Sequence, residues 1–246
     1  MQIVDNMFMG IQMGRKQQAY DYLKNAIVTN ALPPGAPVRE MELAEELRMS
    51  RTPIREAMRE LETEGVLVSY PSRGTFVLSL SPSDVEEIYE LRTLHEVWAL
   101  EKSIFRITDE ELDLVQNAFT EAFENSEWET CHKADRLLHR LIVEKSGSKR
   151  LIAFLNTLNT QAERIRRVSA KDFARLAVSY REHMEIINLI RQRDLPACRE
   201  SLKSHLRSVA DSAIELSRVI DFSFDSLTVD DQPNKTSALV GDRQTS

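Results

Sequence analysis

The sequence predicts a mainly α-helical protein with one small β-hairpin near its start, and three observations carry that prediction. Three short stretches of helical periodicity precede residue 65, and the turn signal Pro71-Ser72-Arg73-Gly74 then separates two strand-like runs, 66–70 and 75–80. From residue 81 to about 220 only helical patterns recur. Just 7 Gly and 8 Pro among 246 residues argue against a turn-rich all-β fold. Three helices followed by a hairpin is the order of a winged helix-turn-helix, and the remainder reads as an all-α helical bundle.

The first helix fits residues 15–30, with Ala19, Leu23, Ala26 and Ile27 at helical spacing, and Leu32-Pro33-Pro34-Gly35 stops it. A second fits 40–47, with Met41, Ala44 and Leu47 expected to point inward. Ser50 is the expected N-cap of a third, Pro53 is tolerated in its first turn, and Ile54, Ala57, Met58 and Leu61 form its apolar stripe up to Gly65. Ser81-Pro82-Ser83-Asp84 starts the helical part with a capping box, and Thr108-x-x-Glu111 and Ser126-x-x-Glu129 repeat that signal. The expected helices are 82–105, 108–124, 127–146, 148–168, 171–192 and 195–219, the last capped by Asp194. The expected organisation is an arm at 1–14, a winged helix-turn-helix at 15–80, a helical domain at 81–220 and a disordered tail at 221–246.

Composition narrows the class. The two cysteines, Cys131 and Cys198, support neither a disulfide framework nor a Cys-based zinc site, so a reducing cytoplasm is expected. No apolar run reaches the roughly 20 residues of a membrane span, and no membrane partner is expected. The net charge of −7 does not advertise nucleic-acid binding, and residues 1–80 balance about 9 Lys/Arg against about 10 Asp/Glu. Distribution is more telling. Arg48, Arg51, Arg55 and Arg59 fall within twelve residues, while Glu56, Glu60 and Glu64 repeat every four and project elsewhere on a helix.

The run Leu43–Ala57 has the chemistry of a DNA-recognition helix. Ser50 and Thr52 offer hydroxyls to phosphates, and the helix N-terminus adds partial positive charge there. Arg51 and Arg55, four apart, share a face, and a guanidinium can fork onto guanine O6 and N7. Gly74 permits a tight wing, and Arg73 could reach the backbone or the minor groove. Any one of these arginines alone would be read as a solvated side chain; the string followed by a wing reads as double-stranded DNA binding.

Residues 15–78 resemble the DNA-binding domain of the GntR family of regulators. The residues that carry the resemblance are Pro34-Gly35, Leu43-Ala44, Ser50-Arg51-Thr52-Pro53-Ile54-Arg55-Glu56-Ala57, Leu61-Glu62, Glu64-Gly65 and Arg73-Gly74-Thr75. The resemblance implies DNA contacts at Ser50, Arg51, Thr52, Arg55 and Gly74, with Arg39 as a further candidate. Regulators of this size usually pair across a palindrome, so a homodimer on a palindromic operator is expected.

All five histidines follow residue 90. Asp135 and His139 are four apart on one expected helix, and His183 and His205 lie inside two others. Three helices could bring one carboxylate and three imidazoles to one point, a set that suits Zn, Ni, Mn or Fe as a divalent ion. Spacing alone leaves packed or surface histidines as the ordinary alternative. Residues 82–215, however, resemble the all-helical FCD effector domain of the FadR-like branch of the same family. Asp135-x-x-x-His139, Glu182-His183 and His205-Leu206 match its metal-ligand pattern, which implies a metal that coordinates a small organic-acid effector. The resemblance also implies effector contacts at Arg92, Glu96 and Ser148, although Ser148 stands where an asparagine is usual, Leu138 where an aromatic is usual and His95 where a leucine is common. His132 shares a face with Asp135 and His139 but reads as a helix-end residue, and Trp98 and Trp128 read as core or dimer-interface residues.

The leading expectation is a transcriptional regulator, not an enzyme, whose operator affinity answers to an effector at the metal. The alternative is a metal-dependent enzyme with a helix-turn-helix-like start, but no His-Glu-x-x-His run or nucleophile–base pair supports it. A constitutive architectural DNA binder would not need the long helical part.

Overall fold

The computed structural model describes residues 14–125, 127–169 and 173–219. Among these the chain forms α1 (Arg15–Val28), β1 (Pro37–Val38), α2 (Glu40–Glu46), α3 (Arg51–Thr63), β2 (Leu67–Tyr70), β3 (Gly74–Val77), α4 (Pro82–Ser103), α5 (Asp109–Glu124), α6 (Trp128–Lys145), α7 (Lys149–Ser169), α8 (Phe173–Gln192) and α9 (Leu195–Val219). The mainly α fold, with its winged helix-turn-helix and helical bundle, is the one the periodicity predicts. The expected arm, apart from Gly14 at the N-cap of α1, and the expected tail lie outside the described residues.

The N-terminal core is built from Ala19, Leu23 and Ile27 of α1, Leu43 of α2, and Ile54, Ala57, Met58 and Leu61 of α3. The last four are the predicted apolar stripe, and each large side chain buried there contributes roughly 1.5–3 kcal/mol. Two details of the short helices differ from expectation. Met41 is exposed and Leu43 is the buried residue of α2. The two positions are about 200° apart around a helix, so only one can face α3. Ser50 occupies the N-cap of α3, but its hydroxyl bonds no helix N–H. The sheet has the order β1-β3-β2, with Val38 opposite Thr75 and Tyr70 opposite Gly74, all antiparallel. The two residues of β1 were not anticipated, because a strand this short has no readable alternation.

Both remaining described capping boxes form. Ser81 Oγ accepts Asp84 N while Asp84 accepts Ser81 N at 2.7 Å, and Thr108 pairs with Glu111 in the same way. Asp194 Oδ1 accepts Ala197 N at 3.1 Å, as expected for the start of α9. Ser126 lies outside the described residues, and α6 begins after Glu127 with no side-chain cap. The second core gathers residues from α4 to α9, including Leu100, Leu112, Leu138, Ile186, Ile190, Leu202 and Leu206. Cys198 is fully buried against Ile186 O, and burial pushes its thiol up to about 12; burial also raises the Cys131 thiol.

The two cores meet at α7. Gln161 Nε2 donates to Glu64 O at 2.6 Å and to Gly65 O at 3.0 Å, and Thr160 donates to the Glu64 carboxylate at 2.9 Å. Arg164 Nη2 donates to Leu78 O at 2.9 Å, and burial lowers its pKa to about 10. The end of α3 is therefore satisfied by α7. Gly65 closes α3 at φ +65°, and a Cβ there would lie 2.6 Å from Gln161 Nε2. Gly65→Ala should destabilise the protein by about 1–2 kcal/mol through left-handed strain and this collision. Urea unfolding measures the loss, and Gln161→Ala in the same background should return only the steric part of it.

Candidate functional site

Four ligand-type side chains converge in the helical core. Asp135 and His139 come from α6, His183 from α8 and His205 from α9; all four are buried, and one potential ligand atom from each lies within 4.8 Å of the others. Helical spacing explains the first pair, because residues four apart stack on one face. His183 is fully buried, and its ring stacks on Phe119 of α5 at a centroid distance of 4.5 Å.

The outer nitrogens of the three rings are all engaged. His139 Nδ1 lies 2.6 Å from Glu96 Oε2, His205 Nδ1 lies 2.9 Å from Glu182 Oε2, and His183 Nδ1 lies 2.7 Å from Ser179 O. Each partner is an acceptor, so each Nδ1 donates its N–H and the neutral ring keeps a bare Nε2 lone pair. Those Nε2 atoms face one another. His139 Nε2 and His205 Nε2 are 3.3 Å apart, and His183 Nε2 is 3.3 Å from Asp135 Oδ2. Bare lone pairs at that distance repel unless a cation lies among them. His183 Nε2 is buried with no hydrogen-bond partner, which is how a ligand atom looks without its ion, and Asp135 Oδ1 has the Arg166 ion pair at 3.2 Å. The donor set, one carboxylate and three oriented imidazoles, fits a divalent metal.

The electrostatics agree. Burial pushes the Asp135 carboxyl up, but the Arg166 guanidinium, 3.2 Å away, is the main cause that opposes it, and the group lies well below the usual carboxylate range. Burial and the adjacent His183 lower His205 to about 3, so its ring is neutral and ready to ligate at neutral pH. Glu96 is buried too, yet Arg92 and His139 keep it ionised.

The structure assigns new neighbours to the residues expected at an effector. Arg92 is buried and donates to Glu96 through Nε at 2.8 Å, and Glu96 in turn holds His139. Both stand behind the histidine. Ser148 sits apart, where its hydroxyl accepts Leu151 N at the start of α7, beside Trp98 and Phe154. The cavity next to Asp135 is instead lined by Arg166, Arg175, Ser179, Tyr180, Phe119 and His132. Arg175 also holds Glu182, with both terminal nitrogens 3.2 Å from Oε2, and so supports His205. Sequence reasoning missed Arg166 and Arg175. The available signal was a pair of arginines on helices that otherwise face an apolar core.

At the other end of the molecule, Ser50, Arg51, Thr52 and Arg55 lie exposed at the start of α3. Arg51 and Arg55 both pair with Glu40 of α2, while Arg39 pairs with Glu42 at 2.8 Å. Arg73 and Gly74 form the exposed wing turn, where Gly74 has φ +102°. Among the described residues no helix is long and apolar enough to cross a membrane.

Comparison with known proteins agrees with this arrangement. Residues 15–77 match the family model of bacterial regulatory proteins, gntR family, and residues 87–208 match the FCD domain. The chain is 31% identical over 187 residues to the Nta operon transcriptional regulator of Aminobacter aminovorans, covering 75% of this chain and 88% of that one. It is 25% identical over 203 residues to the transcriptional repressor RspR of Escherichia coli, covering 81% and 89%. A GntR regulator from Rhodococcus shares the fold at a TM-score of 0.72 and 19% identity, covering 82% of this chain and 99% of that one. The FCD domain of TM0439, solved with Zn²⁺ bound, is similar at a TM-score of 0.50 and 26% identity, covering 56% and 96%. With a DNA-binding module at its start, an FCD domain after it and regulators as relatives, the chain belongs to the GntR family of bacterial transcriptional regulators.

Proposed function

We propose that the chain is a metal-dependent, effector-controlled DNA binder, in which residues 15–80 read the operator and residues 81–220 hold the metal, the effector and a second copy of the chain. One observation carries this reading: α7 touches both ends. Its Arg166 pairs with Asp135, and its Thr160, Gln161 and Arg164 grip the end of α3 and the segment after β3. A change at the metal that moves α7 is passed to the DNA-facing helix by hydrogen bonds already in place. A ligand does this only if it binds the two arrangements unequally.

Asp135, His139, His183 and His205 would hold the ion, which would supply a positive centre for an anionic ligand. The charge balance argues for an anion. Around the imidazoles three carboxylates, Asp135, Glu96 and Glu182, face three guanidiniums, Arg166, Arg92 and Arg175. These cancel, so a divalent ion adds two uncompensated charges to a buried site. A small organic acid in the cavity beside Asp135 would balance them, with Arg166 and Arg175 near enough to receive it. Arg92 would act indirectly, by fixing Glu96 and through it His139.

The double variant His183→Ala/His205→Ala should lose stoichiometric metal and the effector response while still binding DNA. Elemental analysis and gel shifts check this, and retained metal or a normal response would overturn the site. In the metal-free wild type, His205 titrates near 3 when folded and at an ordinary value when unfolded, so the unfolded chain binds the extra proton. Its contribution to stability is present above pH ~6.5 and is lost as pH falls toward 3. The melting temperature of metal-free protein should drop through that window, and added Zn²⁺ should raise it at pH 7.

For DNA, Arg51→Ala should cost about 1–3 kcal/mol on a duplex enriched from a random library by the wild type, and Arg55→Ala, whose guanidinium is tied to Glu40, should cost less. Unchanged affinity in both would sink the assignment.

A single winged helix offers few base contacts, so we infer a homodimer on a palindromic site. Leu94, Trp98 and Phe154 are exposed on neighbouring parts of α4 and α7 and offer an apolar face to a second copy. Light scattering should give a dimer at micromolar concentration, and Leu94→Glu with Trp98→Glu should give a monomer; a wild-type monomer would refute it.

A further inference from the structure

Glu40 opens α2, and its carboxylate bridges the two arginines at the start of α3. Glu40 Oε1 accepts Arg51 Nε at 2.6 Å and Arg55 Nη2 at 2.8 Å, while Oε2 accepts Arg55 Nε at 3.1 Å. The two guanidiniums are held differently. Arg55 is clasped along its Nε–Nη2 edge, so its hydrogen-bonding fork on that side is spent on Glu40. Arg51 gives up Nε alone, in a single hydrogen bond; both arginines keep the Nη1–Nη2 fork, the edge that can span guanine O6 and N7, but only Arg51 is free of a second tie to Glu40.

Several features make this clasp more than a chance surface pair. The Glu40 side chain is only 20% exposed, against 58% and 52% for the arginines, so the carboxylate is seated and the cations reach outward. It lies in the first turn of α2, where the helix terminus favours negative charge. The Arg55 hydrogen bond, with that of Arg51, holds its carboxyl below the usual carboxylate range. Glu42, two residues on, pairs with Arg39 and touches neither arginine.

Resting on the DNA-binding reading above, we propose that Glu40 is a specificity-determining positioning residue, which orients Arg51 to read a base and withholds Arg55 from indiscriminate phosphate contact. The physical basis is a competition between two kinds of binding. A free arginine on a helix N-terminus finds a phosphate on any duplex, and that contact carries no sequence information. A guanidinium whose Nε is pinned has fewer orientations, and its remaining fork discriminates among base edges. A negative charge beside the groove also opposes binding to any duplex. Glu40 therefore weakens all binding a little and random binding most.

The experiment compares three full-length proteins, the wild type, Glu40→Gln and Glu42→Gln, on two duplexes: one enriched from a random library by the wild type, and one scrambled. Fluorescence anisotropy over a salt series reads affinity and its salt slope, and thermal melts confirm that all three fold. Glu40→Gln should bind the scrambled duplex severalfold tighter, with a slope steeper by about 1 as Arg55 takes a phosphate. Its ratio of specific to scrambled affinity should narrow by about tenfold. Glu42→Gln removes the same charge from the same helix, and should tighten both duplexes alike with the ratio unchanged. If Glu40→Gln keeps the wild-type ratio, or the two variants behave identically, Glu40 is only one more surface charge and the proposal fails. If the wild type enriches no sequence at all, the DNA-binding reading fails first.

Discussion

Burying four ligand-type side chains in a helical core is the constraint around which the C-terminal half is organised. A lone charge or an unpaired imidazole there would cost several kcal/mol. The fold meets this with two parallel relays, Arg92–Glu96–His139 and Arg175–Glu182–His205, in which a guanidinium fixes a carboxylate and the carboxylate fixes a ring. His183 takes the simpler solution of donating to the carbonyl four residues back on its own helix. The outward nitrogens are thus satisfied in every ring, and only the inward ones are left for an ion. This also explains why charged residues occupy core positions of α4, α6 and α7, where an apolar stripe would otherwise run.

Much of the fold was legible because its signals are local. The stripe Ile54, Ala57, Met58 and Leu61, the boxes at Ser81 and Thr108, and the cap at Asp194 each involve residues within about two turns of one another. Asp135 and His139 were legible for the same reason. The grouping of His183 and His205 with them needed the family resemblance, since nothing within one helix says which others it meets. The relays escaped notice because each crosses between helices or spans seven residues. Arg92 illustrates the difficulty: its helix follows from the pattern, but its burial and its bond to a glutamate one turn along do not. Met41 and Leu43 show the other failing, since a seven-residue helix is too short for periodicity to fix which face turns inward.

The placement of α7 joins the histidine cluster to the N-terminal core. Its Gln161 supplies hydrogen bonds to Glu64 O, the C-cap carbonyl that the end of α3 leaves orphaned, and to Gly65 O just beyond it. The recognition helix therefore depends for part of its own termination on another domain's side chain. Because Arg164 and Arg166 follow within two turns, the connection to Asp135 is short and passes through a single rigid element. Packed elements of this kind shift between discrete arrangements more readily than they deform.

The two buried thiols carry a consequence for redox chemistry. Cys131 borders the cavity beside Asp135, and Cys198 lies under α8, yet burial holds both thiols above their ordinary titration range. Only the thiolate is nucleophilic or metal-binding, and at neutral pH neither residue supplies a useful amount of it. Cys131 thus does not compete with the imidazoles for a soft cation, and oxidants or alkylating reagents have little to attack in the folded state. The same packing that holds the histidines in register therefore keeps both sulfurs in their thiol form.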